Sequence, residues 1–213
     1  MRTAGWVFVA ALVALAGGKA FAGDTAQEIL KKVRDRYDGV ADAEIKFQQR
    51  VRMPVGKMEQ STTGTLLTKK GNKYRVELEQ QTIVTDGVTV WSYSAAQQQV
   101  LVDRFEQDER SLSPDRILSG EAADLAPALI GREKLGKMET VVLKLTPRDE
   151  TALLKWLKLW VSESDWLVRK AELVDLNGKE TVYQVLDIKV NAGIPDAQFT
   201  FVAPAGVEVV DLR

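Results

Sequence analysis

Residues 44–53 read E-I-K-F-Q-Q-R-V-R-M, and their alternation decides the fold. Ile45, Phe47, Gln49, Val51 and Met53 occupy the odd positions; Glu44, Lys46, Gln48, Arg50 and Arg52 occupy the even ones. Successive side chains of a strand point to opposite faces, so this is a strand with one apolar face and one charged face. A helix of the same composition would scatter the charges into its apolar stripe. The same pattern sets Tyr74, Val76 and Leu78 against Lys73, Arg75 and Glu77, and Val141, Leu143 and Leu145 against Lys144. It returns at Val182, Gln184, Leu186, Ile188 and Val190, with Asp187 and Lys189 opposite. The chain is therefore predicted to be mostly one antiparallel sheet with a single apolar face, and its function must lie in what that face covers.

The first 22 residues have a different character. Arg2 gives a positive start, residues 6–16 form an apolar core, and Ala20-Phe21-Ala22 is a small-residue cleavage site before Gly23. The apolar run ends at Gly17, Gly18 and Lys19, short of the roughly 20 residues needed to span a bilayer. Residues 1–22 are expected to be a cleaved export signal. No Cys follows for lipidation, so residues 23–213 are expected to form one soluble, monomeric domain in the periplasm.

Composition narrows the chemistry. Without Arg2 and Lys19 the 29 basic residues fall to 27 against 30 acidic ones, a net charge of −3. Overall charge thus offers no reason to expect nucleic acid or an anionic membrane surface as partner. The chain has neither Cys nor His. That removes a disulfide framework, the commonest metal ligands and the commonest general base. No cofactor, no metal and no catalytic residue is expected.

A first helix is predicted over residues 24–37, with Asp24 or Thr25 as N-cap and Ala26, Ile29, Leu30, Val33 and Tyr37 along one face, ended by Gly39. Strands are predicted at about 42–53, 60–69, 72–79, 82–85, 88–93 and 98–104. Asp86-Gly87 reads as a two-residue hairpin turn of type I′, and Gly71-Asn72 and Asn177-Gly178 mark further turns. Between residues 111 and 130, Ser113-Pro114, Ile117, Leu118, Gly120, Leu125, Pro127, Leu129 and Ile130 suggest short, imperfect helices. Strands resume at about 132–136, 139–147, 153–163, 166–176, 179–190 and 198–202.

About ten strands at ~4.8 Å spacing span roughly 48 Å, and a helix covers only about 10–12 Å of that width. One good helix and two or three short ones leave much of the apolar face bare. It must curl into a barrel or half-barrel, pack on a partner, or hold a ligand. A closed barrel with a filled core and a barrel with an apolar cavity both satisfy this requirement.

The residues also resemble a family. T-I-V-T-D-G-V-T-V-W-S-Y at 82–93 resembles the hairpin of the LolA-like outer-membrane lipoprotein carriers. Phe47-Gln48-Gln49 is similar to their early strand, Gly64-Thr65-Leu66 to the next, and Lys70-Gly71-Asn72-Lys73-Tyr74-Arg75-Val76 to the segment after it. Ser113-Pro114 with Ile117-Leu118 resembles the start of their lid helices, and Leu145-Thr146-Pro147-Arg148 a strand end. Phe199-Thr200-Phe201 followed by Pro204-Ala205-Gly206-Val207 resembles their closing segment. The order and spacing of these pieces carry the resemblance over most of residues 23–213.

The resemblance implies a mainly β fold with some α: an incomplete (half) antiparallel β-barrel, with an N-terminal helix and short lid helices over an apolar concave face. It implies a non-enzymatic periplasmic carrier that takes the acyl chains of lipoproteins into a hydrophobic cavity and shuttles them from inner to outer membrane. The implied partners are acylated lipoproteins, an inner-membrane ABC transporter and, where present, an outer-membrane receptor lipoprotein. Phe47, Tyr74, Val76 and Trp91 are the candidates for lining the cavity, and Pro114, Ile117 and Leu118 for the lid helices.

Two departures from the family pattern bear on the site. The basic residue that fastens the lid in the family corresponds to Lys70, here followed by Gly71 instead of Pro; Arg75 is a rival latch, although alternation puts it opposite Tyr74 and Val76. Tyr74 and Val76 stand where the family has Phe and Trp. Trp156, Lys158 and Trp160 share one strand face, with Leu157, Leu159 and Val161 on the other. This pattern suits either a docking surface for a membrane partner or a strand buried beneath the lid or the first helix. Two other functions compete with the carrier: a lipid-binding or envelope-stress sensor on the same fold, and an enzyme with an apolar substrate. For the latter, Asp103, Glu106, Asp108 and Glu109 form the one acidic cluster, and it reads as a solvated loop.

Overall fold

The alternating segments pair into a single sheet of 12 strands in the order β12-β6-β5-β4-β3-β2-β1-β11-β10-β9-β8-β7. The computed structural model describes residues 24–54, 58–106, 125–149 and 152–213. The strands are β1 (Asp42–Arg52), β2 (Glu59–Lys69), β3 (Lys73–Leu78), β4 (Gln81–Asp86), β5 (Thr89–Ser94) and β6 (Gln99–Arg104). After them come β7 (Leu125–Leu135), β8 (Met138–Pro147), β9 (Leu154–Ser162), β10 (Val168–Asp175), β11 (Glu180–Val190) and β12 (Glu208–Asp211). β12 and β7 are the two ends of the order, so the sheet is not closed. It is a half-barrel carrying, among the described residues, one long helix.

That helix, α1 (Ala26–Asp38), begins where the sequence places it. Thr25 is the N-cap, its hydroxyl accepting from the Glu28 N–H while the Glu28 carboxylate accepts from the Thr25 N–H at 2.6 Å. This reciprocal capping box satisfies two orphan donors of the first turn. Ala26, Ile29, Leu30 and Val33 are buried against one face of the sheet, termed the inner face here. Ala43, Ile45, Phe47, Leu66, Val76, Leu143, Leu159 and Ala171 belong to the same core, as the alternation requires.

Four expectations are corrected. Residues 125–130 are strand and not helix: they open β7, an edge strand, where Pro127 costs no ladder hydrogen bond on its open side. The strand expected at 198–202 does not form: Asp196–Phe199 is a 3₁₀ turn, residues 200–202 are irregular, and the last strand comes later, as β12. β12 runs parallel to β6, the one departure from antiparallel pairing among the described residues. At Asp86-Gly87 only Gly87 has positive φ (91°), and Thr85 pairs with Val90 around a four-residue loop. The Asp86 carboxylate organises that loop by accepting from the Val88 and Thr89 N–H groups at 2.8 Å. The left-handed pair of a type I′ turn occurs instead at Gly71 (φ 90°) and Asn72 (φ 60°). Pro114, Ile117 and Leu118, and with them the expected lid helices, lie outside the described residues.

Both faces of the sheet are covered in part. Beyond β11 the chain crosses the outer face of β3–β5. The buried Asp42 carboxylate ties down this crossing, accepting from the Gly193 and Ile194 N–H groups at 3.1 and 3.2 Å. Lys69 and Lys73 both reach the Asp196 carboxylate, at 2.6 and 2.7 Å. Phe199 is fully buried, and Tyr93 packs on Phe201 with ring centroids 5.8 Å apart.

Candidate ligand-binding face

The strand register decides which candidates share the inner face. Ile45 pairs with Leu66, Leu66 with Val76, and Val76 with Ile83. Tyr74 stands two residues from Val76 on the same face and pairs with Thr68 and Thr85. Phe47 pairs with Gly64 on one side and Val185 on the other. Phe47, Tyr74 and Val76 are thus brought onto the face that carries α1.

Gly64 is there because of Phe47. A Cβ on Gly64 would lie 2.8 Å from Phe47 Cζ and 2.6 Å from Leu78 Cδ2, so the ring and the leucine fill the space a side chain would need. Phe47 also meets Tyr183 edge-on, with centroids 5.9 Å apart. The Tyr183 hydroxyl accepts from Gln49 Nε2 at 3.0 Å. Burial raises the Tyr183 pKa, and the Gln49 hydrogen bond only partly opposes it, so the phenol stays neutral. Tyr74 packs edge-on against Phe105 at 6.5 Å.

Trp91 is placed elsewhere. It pairs with Val84 and Val102, on the outer face with Arg75, because Arg75 pairs with Val84. Val84, Val100 and Val102 are buried there in a second core, beneath the segment that carries Phe199. The expectation that Trp91 lines the same hollow as Phe47, Tyr74 and Val76 is therefore corrected: the strand register sets it on the opposite face.

The two latch candidates also part. Lys70 Nζ donates to the Asp38 carbonyl at 2.7 Å, and the Lys70 N–H donates to the Ala41 carbonyl at 3.0 Å. An ammonium at the C-terminal carbonyls of α1 favours the negative end of its dipole. Arg75 instead pairs with Glu77 at 2.6 Å on the outer face and donates to the Gln198 carbonyl. Lys70 therefore fastens the helix end, and Arg75 the crossing segment.

The inner face is apolar but unevenly covered. Under α1 it is fully packed: Leu143, Leu145, Leu157 and Leu159 have no exposure. Away from the helix Tyr74, Leu78, Ile83, Tyr183 and Val185 are only half-buried, and Leu101 is exposed. A cleft of about 210 Å³ opens where the end of α1 meets the β2–β3 turn, with Tyr37, Val40, Ile45, Thr68, Lys70 and Tyr74 in its wall. Tyr37 holds the other side of this helix end, its hydroxyl accepting from the buried Val168 N–H. Burial pushes the Tyr37 pKa up. Among the described residues no group of acidic side chains is placed to hold a metal ion.

Residues 38–202 match the family described as outer membrane lipoprotein carrier protein LolA. The chain belongs to the LolA family. An outer-membrane lipoprotein carrier protein of Leptothrix cholodnii is 27% identical over 212 residues, 98% of this chain and 96% of that one. One from Hahella chejuensis is 32% identical over 169 residues, covering 77% of this chain and 79% of its own. In fold, the chain is similar to the crystal structure of an uncharacterized conserved protein from Thermus thermophilus, with TM-score 0.58 at 17% identity. That likeness covers 87% of this chain and 98% of the other. LolA proteins are periplasmic carriers, and among the described residues no helix is long and apolar enough to cross a membrane.

Proposed function

We propose that this LolA protein binds the acyl chains of lipoproteins on its inner face and shuttles them from the inner to the outer membrane. The observation that carries this reading is the half-buried apolar surface at Tyr74, Leu78, Ile83, Tyr183 and Val185, continuous with the packed core under α1. Each CH₂ transferred from water to such a surface gains roughly 0.8 kcal/mol. Phe47, Tyr74 and Val76 line the hollow in this reading. The 210 Å³ cleft is below the roughly 300–1,000 Å³ of ordinary ligand pockets, so loading an acyl chain requires the inner face to be uncovered further. Movement of α1 would do so; the lid candidates Pro114, Ile117 and Leu118 lie outside the described residues. The cargo would be received from an inner-membrane ABC transporter and delivered to an outer-membrane receptor, the carrier acting as a monomer after cleavage behind Ala22. Nothing in this cycle calls for catalysis.

The test is saturable binding of an environment-sensitive acyl probe, displaced by purified lipoprotein. Tyr74→Asp should weaken it strongly, because an unpaired charge in an apolar site costs several kcal/mol. Near-UV circular dichroism must stay close to wild type for the comparison to count. A parent protein with no saturable probe binding would refute the proposal.

A further inference from the structure

The outer face of β8–β10 and the adjoining hairpin tips share one end of the sheet. Three hairpins, β1–β2, β10–β11 and β8–β9, stand side by side there in the strand order. Each exposes large apolar side chains at its tip: Met53 and Met58 on the first, Leu176 on the second, Leu153 on the third. The tips touch one another. Pro54 lies against Gly178, and the Leu176 N–H donates to the Leu153 carbonyl at 3.1 Å. Leu153 is 68% exposed and Leu176 57%, and the hydrogen bond between their backbones sets the two exposed leucines side by side.

Just above these tips on the outer face sits Trp156, with the ammonium groups of Lys158 and Lys144 4.7 and 5.7 Å from its ring centroid. Lys144 and Lys158 are directly opposed on neighbouring strands, a like-charge pair that destabilises a sheet, while Glu172 on β10 stands opposite Lys158 on its other side. Among the described residues neither ammonium has an ion-pair partner. One strand further on, Lys170 caps Trp160 at 3.8 Å. Trp160 is buried, its indole N–H donating to Glu133 at 2.7 Å, and Glu172 is the acidic neighbour of Lys170. This face is opposite to the one that carries α1, since Leu157 and Leu159 are the β9 residues that meet the helix core.

We propose that this end of the half-barrel docks on an anionic phospholipid bilayer, with Met53, Met58, Leu153 and Leu176 entering the interface. The spacing fits. At about 3.3 Å per strand residue, Trp156 stands roughly 10 Å from Leu153 and Lys158 roughly 17 Å. Apolar side chains of interfacial proteins sink about 5–10 Å, so the indole falls at headgroup level and the lysines just outside it, where they meet phosphate. The net charge of −3 argues against such a surface only on average; the local outer face of β8 and β9 is positive. A protein or a second copy is the alternative occupant.

The experiment is co-sedimentation of the exported protein with phosphatidylglycerol-containing vesicles and with phosphatidylcholine vesicles, alongside acyl-probe binding and sedimentation velocity. The expected result is association with the anionic vesicles, reduced about tenfold or more by Leu153→Ser with Leu176→Ser. Lys144→Gln should also reduce it while raising Tm, because the like-charge pair is relieved and Lys158 keeps Glu172 opposite it; a purely structural role for the lysine would lower Tm. All these variants should still bind the acyl probe, so the docking result stands apart from the carrier reading. No association of the parent, or association unchanged by the leucine variant, would overturn the proposal. So would loss of probe binding in that variant, which would assign the tips to the hollow. A parent that self-associates and becomes monomeric in the leucine variant without binding vesicles would assign the surface to a second copy.

Discussion

Phe47 and Gly64 face each other across β1 and β2, and the aromatic ring occupies the volume that a side chain at position 64 would take. The backbone carbonyl of Glu77 closes the same space from β3, 2.7 Å from a Cβ at that position. The pair sets how closely the three strands approach at the centre of the inner face.

Gly64→Ala should therefore be destabilising although it adds a single methyl group. Overpacking of this kind costs about 1–3 kcal/mol. Phe47→Ala should cost more, about 3–5 kcal/mol, since it empties a buried aromatic site. Urea denaturation of the two variants measures both. A Gly64→Ala protein as stable as the parent would show that the ring has room to move.

Gly87 makes a second close approach, between two turns. Its φ is 91°, and a Cβ there would lie 2.3 Å from the Gly71 carbonyl oxygen. Gly87→Ala combines a left-handed backbone with a clash against main chain, and should cost more than about 2 kcal/mol. Gly136→Ala is the control: its φ is 63° but nothing lies within 4 Å, so only the backbone term applies. Equal losses at the two positions, measured by thermal unfolding, would exclude the contact with Gly71.

Lys70→Leu tests the helix-end contact. An exposed cation at a helix C-terminus contributes about 0.3–1 kcal/mol, so stability should fall only slightly. Release of a bound acyl probe should accelerate more than the stability change accounts for, if freeing the end of α1 uncovers the inner face. Arg75→Leu should leave release unaltered, because that side chain serves the outer face. Stopped-flow release of the probe distinguishes the two.

Asp196 predicts an acid dependence. Hydrogen bonds from Lys69 and Lys73 hold its carboxyl at a pKa of about 2, below its ordinary value of 3.8. A group whose folded pKa is depressed adds stability above the unfolded pKa and loses it as pH falls through the folded one. The Asp196 contribution should thus fade between about pH 4 and pH 2. Asp196→Asn should show a shallower fall of Tm across that window than the parent, with a modest loss at neutral pH. Parallel Tm curves would mean that the two lysines do not stabilise the ionised form.

Alternation and turn chemistry determined, from the sequence alone, that this is a sheet protein with one long N-terminal helix. Both are local: side-chain direction reverses at each strand residue, and Thr25 caps the helix whatever packs against it. The separation of Arg75 from Tyr74 and Val76 was equally legible, since it needs only strand parity; Trp91, a cavity candidate with Tyr74 and Val76, is moved to the opposite face by the register of β3, β4 and β5. Which of those two faces takes the helix was decided by tertiary structure. Both are apolar around β4–β6, with Ile83 on one and Val84 on the other, and only the crossing of residues 191–201 over the outer face assigns Trp91 to a second core. The parallel pairing of β12 with β6 joins residues 109 positions apart, such as Glu208 and Gln99, and no local signal encodes it. Pro127 was a helix-breaking signal in the sequence and an edge-strand residue in the fold, because only the assembled sheet makes β7 the end of the strand order among the described residues, where a missing N–H is tolerated.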